Sequence, residues 1–253
     1  MRKFLIILSL LCCMLRSVAT QPVETLHYKV MFKWGLINKK AGTATLTLTP
    51  KADYLQATLT ARSESWADGI YKLRDTLYSH MDPEKLTPHF YERIAHEDGK
   101  YSRDIVRFAR TPGSSLVVAK TERIRRKDSE SEAKSVSNKL SASGVTVDMV
   151  SAFYYLRKLD FAKMEPGQSV TVNIFSAKKK ELLRIIFRGR EKLKVDGKNY
   201  DTWRISFTFT TDGATKSSDN IETWLETTGN HAPVKLRGKL KVGAIQCLLE
   251  NRS

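Results

Sequence analysis

Apolar and polar residues alternate with a period of two along most of this chain, and that alternation limits the possible fold more than any other feature. Leu26, Tyr28, Val30, Phe32 and Trp34 fall on one face of an extended segment, with His27, Lys29 and Lys33 on the other. One apolar face and one wet face are what a half-buried antiparallel strand requires. Ala44, Leu46 and Leu48 then alternate with Thr43, Thr45, Thr47 and Thr49, and Leu55, Ala57, Leu59 and Ala61 with Gln56, Thr58, Thr60 and Arg62. Threonine on the wet face fits a strand, because its β-branch loses rotamer freedom in a helix.

The pattern repeats through the middle of the chain. Runs at Asp75 to Met81, His89 to His96 and Tyr101 to Arg110 are separated by Asp82-Pro83, Glu97-Asp98-Gly99 and Thr111-Pro112-Gly113, all turn chemistry. Residues 121–145 are rich in Arg, Lys, Ser and Glu, and are expected to form an exposed hairpin arm or loop. One segment has helical spacing: Asp148 as N-cap, then Met149, Ala152, Phe153, Leu156 and Leu159 on one face. After Pro166-Gly167 the strands resume, with Asp196-Gly197 as a tight hairpin signal before Trp203, Ile205, Phe207 and Phe209. Eleven to thirteen strands and one helix near 148–159 predict an all-β, mainly antiparallel fold. Its long curved sheet is expected to close partly or wholly into a barrel.

The first residues read as an address. Arg2 and Lys3 precede an apolar run from Phe4 to Leu15, and Ser17-Val18-Ala19 offers small residues for cleavage. We therefore expect residues 1–19 to be a signal peptide and 20–253 a single β-rich domain. Leu11 before Cys12, and Cys12 before Cys13, stand where a lipid-attachment site needs a small residue, which argues against a lipoprotein. Loss of the signal leaves Cys247 as the one thiol, in an apolar strand-like stretch, so no internal disulfide forms. No apolar run of about 18 residues follows the signal, so no transmembrane helix is expected in the mature chain.

Several sequence landmarks carry a family resemblance. Arg74-Asp75, the run from Asp148 to Arg157, Pro166-Gly167, Trp224-Leu225, the run from Ala232 to Leu236, and Lys241-Val242-Gly243 occur in order. They resemble an exported Gram-negative bacterial family catalogued as domain of unknown function 3108. The resemblance implies a periplasmic or envelope-associated β-rich domain and no particular reaction.

Motifs for chemistry are few. None of the five histidines stands in a metal-site motif, and there is no Gly-x-Ser-x-Gly or Gly-rich phosphate loop. Catalytic residues, cofactor and metal are accordingly expected to be none. The basic excess, net charge +16, is more informative. Lys235, Arg237, Lys239 and Lys241 alternate with small or apolar residues and form a candidate stripe for an anionic surface. Outside the cytoplasm such a surface means lipid, lipopolysaccharide or acidic glycan rather than nucleic acid, because aromatics do not interleave the stripe. Trp34, Trp203 and Trp224 are candidates for core or cavity lining. The leading expectation is an envelope-located binding or carrier domain for an amphipathic or anionic ligand. The alternatives are an envelope scaffold and a hydrolase of envelope glycans or lipids.

Overall fold

The computed structural model describes residues 24–211, 217–240 and 243–253; the expected signal segment and Lys241 lie outside them. A first meander runs through β1 (Glu24–Trp34), β2 (Ile37–Pro50), β3 (Leu55–Ser63), β4 (Leu73–Met81), β5 (Pro88–Glu97), β6 (Lys100–Arg110), β7 (Leu116–Arg126) and β8 (Lys134–Ser143). A second runs through β9 (Thr146–Val147), β10 (Ser169–Phe175), β11 (Lys180–Val195), β12 (Lys198–Thr211), β13 (Ser217–Glu226), β14 (Pro233–Lys239) and β15 (Ala244–Arg252). The two join through β1 against β15, Tyr28 opposite Leu249, into one sheet of fifteen strands. Every pairing is antiparallel except β9 with β10.

The two edges of that sheet, β8 and β9, are consecutive in the chain, so the sheet curls until its edges meet. Bulges at Val30/Met31, His80/Met81 and Phe187/Gly189 add bend to the twist that any large sheet accumulates. Asn173 closes the seam: its side-chain amide donates to Ser143 O at 2.9 Å and Val145 O at 3.2 Å. Phe108 and Phe175 stack across it with ring centroids 5.9 Å apart. The result is a nearly closed, barrel-like sheet.

The observed strands exceed the expected eleven to thirteen, partly because residues 116–126 and 134–143 pair as a hairpin and place the 121–145 arm within the sheet. Among the described residues there are two α-helices rather than one: α1 (Ser65–Asp68), which carries Trp66, and α2 (Ser151–Arg157). The second is shorter than the expected 148–159, yet its hydrogen bonding begins at Asp148, whose carbonyl accepts from Ala152 N–H. Asp148 Oδ1 accepts from the N–H groups of Val150 and Ser151 at 2.7 and 2.8 Å, while Ser151 Oγ accepts from Asp148 N–H at 2.8 Å. This reciprocal arrangement is a capping box. Ser79 of β4 donates its hydroxyl to Asp148 Oδ2 at 2.6 Å and ties the cap to the sheet.

The helix packs against the sheet on two sides. Leu156 joins Phe161, Phe187 and Trp203, whereas Val150 and Tyr154 join Leu26, Tyr28 and Met81. Met149, expected on the buried face, is 44% exposed, because the cap turn precedes the regular helix and points it away. At the other end Arg157 pairs with both oxygens of Glu24 at 2.7 and 2.8 Å, fixing α2 to the start of β1.

Candidate functional site

Small side chains, rather than large ones, define the most distinctive feature of the interior. Ala44 on β2 faces Ala61 on β3, and Gly42 faces Ser63. A Cβ at Gly42 would lie 2.3 Å from Arg62 O, so β2 and β3 approach there only because that side chain is missing. Around these positions β14, β15, β1, β2, β3, α1 and Phe153 of α2 enclose an apolar cavity of about 670 Å³. That size falls within the range of about 300–1,000 Å³ of small-molecule sites.

Tyr28 and Leu46, both buried, form the cavity's closed end, and the Tyr28 hydroxyl is spent on a 2.9 Å bond to Pro233 O. Burial raises the Tyr28 hydroxyl pKa far above its ordinary value and pushes the Cys247 thiol, also on the wall, up to about 11. Both therefore stay protonated and neutral near pH 7. Ile70, Tyr71 and Leu240 stand exposed at the opposite end, which is the mouth. Thr43, Arg62 and Ser63 are polar lining residues on the β2–β3 side of that end. Trp66 lies on the wall with its indole N–H donating to Lys40 O at 2.7 Å, and Lys39 Nζ sits 4.3 Å from its ring centroid.

The adjoining stretch of the sheet, from β4 to β7, is ionic. Asp75 lies in register with Ala61 on one side and Ala95 on the other, so it faces inward. Arg93 reaches it at 2.5 Å and also pairs with Glu97. Asp104 forms an ion pair with Arg125 at 2.8 Å and stands 3.4 Å from Arg123. Burial raises the Asp75 pKa, against the opposing pull of Arg93.

None of the three tryptophans expected in the core or on a cavity wall lines this cavity; two of them fill the core. Trp203 and Trp224 are buried elsewhere, in the two core clusters, and Trp34 is 55% exposed at the end of β1. The cavity tryptophan is Trp66, which local periodicity could not place because it lies on a four-residue helix.

Of the basic stripe, Lys235, Arg237 and Lys239 lie on one face of β14, and Lys241 is outside the described residues. Lys235 packs 4.4 Å over the Trp224 ring, and its pKa is lowered by burial and by Arg237. Arg237 is opposite Glu222 and half-buried. Lys239 alone of the three is exposed, opposite Ala244, which in turn faces Lys33 of β1. His80 and His89 come together beside Tyr54, with ring centroids 5.8 Å apart, and burial lowers both pKa values. Among the described residues no cluster of three or more His, Cys, Asp or Glu could hold a metal ion.

A family model described as Protein of unknown function (DUF3108) matches residues 26–250, and the chain belongs to that family. Among solved structures the chain is similar to a crystallised β-barrel-like protein of domain of unknown function DUF1849 from Brucella abortus. That likeness has 11% identity, covers 91% of this chain and 97% of the other, and has a TM-score of 0.59. It shows the fold. No curated protein matches the chain.

Proposed function

We propose that this member of the DUF3108 family is an exported envelope protein that binds or carries an amphipathic ligand, without catalysing a reaction on it. The observation that carries the proposal is the apolar cavity between β14 and β3. Burying a hydrocarbon chain there is favourable by about 25 cal/mol per Å² removed from water. The polar lining at Thr43, Arg62 and Ser63 lies on the mouth side, where a ligand's polar or anionic end would remain hydrated. Binding fits the wall better than catalysis, since its one thiol is held protonated and therefore a poor nucleophile.

The test is titration of the purified protein, in vesicle-free solution, with an anionic naphthalene-sulfonate dye and a fluorescent fatty acid. Ala44→Phe places a ring in the cavity. It should weaken both probes at least tenfold while leaving the thermal midpoint nearly unchanged. Equal affinity in parent and variant, or no probe binding by the parent, would sink the proposal.

A further inference from the structure

We infer that the mouth end of the barrel docks on the surface of an anionic lipid membrane, with the cavity opening turned toward the lipid. The direction of opening rests on the amphiphile reading of the cavity; the docking itself rests on the surface around the mouth. Twelve large apolar residues are exposed among the described residues, and six of them cluster at this end. Trp34, Leu36 and Ile37 belong to the β1–β2 turn, Ile70 and Tyr71 to the link after α1, and Leu240 to the β14–β15 turn. Leu36 is fully exposed and Ile70 is 74% exposed.

These segments are neighbours. Ile70, Tyr71 and Leu240 ring the same cavity, and an added Cβ at Gly243 would lie 2.4 Å from Lys33 O and 3.1 Å from Trp34 Cβ. Isolated exposed apolar residues are ordinary on any surface, but a cluster at the opening of an apolar cavity marks an interaction site.

The charges select the partner. Lys33, Lys72 and Lys239 are exposed at this end and none of them forms a salt bridge among the described residues, while Lys39 lies over Trp66. The nearby acids are largely engaged: Glu64 faces Lys40 at 3.5 Å, Asp68 holds Arg74 at 2.7 Å, and Asp98 accepts the Lys72 backbone N–H at 2.8 Å. The outcome is a ring of available cations around protruding apolar tips, with Trp34 and Tyr71 of the type favoured at membrane interfaces. Tips on three separate turns suit a fluid lipid surface, which needs no continuous complementary shape, and the lysines suit anionic headgroups. Lys239 is thus the stripe residue that joins this surface, while Lys235 is committed to Trp224.

Co-sedimentation of the purified full chain with phosphatidylcholine vesicles, with and without phosphatidylglycerol, tests the inference. Binding should require phosphatidylglycerol and weaken between low salt and ~0.15 M, where screening acts over about 8 Å. Leu36→Ser with Ile37→Ser, and separately Lys33→Gln, Lys72→Gln and Lys239→Gln together, should each lower vesicle affinity at least tenfold. Lys235→Gln should leave it unchanged. The rim positions are exposed and lie outside the cavity lining, so unaltered dye binding in vesicle-free solution would confirm folded variants. Parent protein that stays in the supernatant, or rim variants that pellet like the parent, would overturn the docking even if the cavity binds dye. Vesicle binding without dye binding would overturn the cavity reading and leave the docking in place.

Discussion

The two inward walls of this barrel solve the problem of a large interior in opposite ways. From β14 through β3 the inward side chains include Ala44, Ala61 and Gly42, too small to meet across the space, and a cavity remains. From β4 through β7 the inward positions near the same end carry Asp75, Arg93, Glu97, Asp104, Arg123 and Arg125, long enough to reach one another and fill the space with paired charge. One wall is hollow and soft; the other is filled and cross-linked. A binding cavity benefits from that asymmetry, because a rigid wall keeps the sheet from collapsing onto the hollow one.

Breaking the ionic wall should have the largest effect. Arg93→Ala leaves Asp75, only 7% exposed, without its guanidinium. Stranding a buried charge costs about 3–5 kcal/mol. Chemical denaturation should show that loss, and replacing the pair together, Asp75→Leu with Arg93→Met, should recover most of it. A single-variant loss under ~1 kcal/mol would mean that the ionic wall is not what holds this side of the barrel.

The next effect comes from Asp148, which fastens α2 to this wall through Ser79. Burial raises its pKa from 3.8 to about 6, against hydrogen bonds from Ser79, Ser151 and Val150 that favour the anion. A carboxyl with a raised folded pKa holds its proton where the unfolded chain has lost it. Its contribution to stability therefore falls as pH rises from about 4 to about 6 and levels off above that, by ~3 kcal/mol in all. Asp148→Asn keeps an oxygen for the cap and does not titrate. The stability difference between parent and variant should shift toward the variant by that amount across the window. Parallel stability curves would show that Asp148 is solvated or paired in a way that cancels its burial.

The strands and turns were legible because they are local. Leu26, Tyr28 and the polar residues between them announce β1, and Asp196-Gly197 announces a turn in which both residues adopt positive φ. What could not be read depends on distant partners. Ser79 and Asp148 are 69 residues apart, and nothing near either marks the contact. The cavity escapes a sequence reading for a related reason: tryptophans are residues that fill space, and Trp203 and Trp224 do fill the core. A void is marked by small residues facing one another across strands, such as Ala44 and Ala61, and that signal appears only once the register is known. Trp34 continues the β1 alternation, but it is the last residue of the strand, beside the β1–β2 turn, and is exposed there.

The smallest effect gives the closest comparison of the walls, because one substitution can be made on both. Ala61, Asp75 and Ala95 form a single cross-strand row, with Ala61 bordering the cavity and Ala95 beside the ion pairs. Ala95 is 1% exposed, so Ala95→Leu must force new methyl groups into occupied space, at about 1–3 kcal/mol. Ala61→Leu adds the same atoms toward the cavity and should change stability by no more than ~0.5 kcal/mol, the range of an unstrained site. The same variant should weaken dye binding, since it takes volume from the ligand. Unfolding free energies of the two variants, measured side by side, decide the matter. Equal destabilisation would mean that the β2–β3 wall is already packed and that the cavity closes in solution. Loss confined to Ala95→Leu would locate the free volume of the barrel on the side where the ligand is proposed to sit.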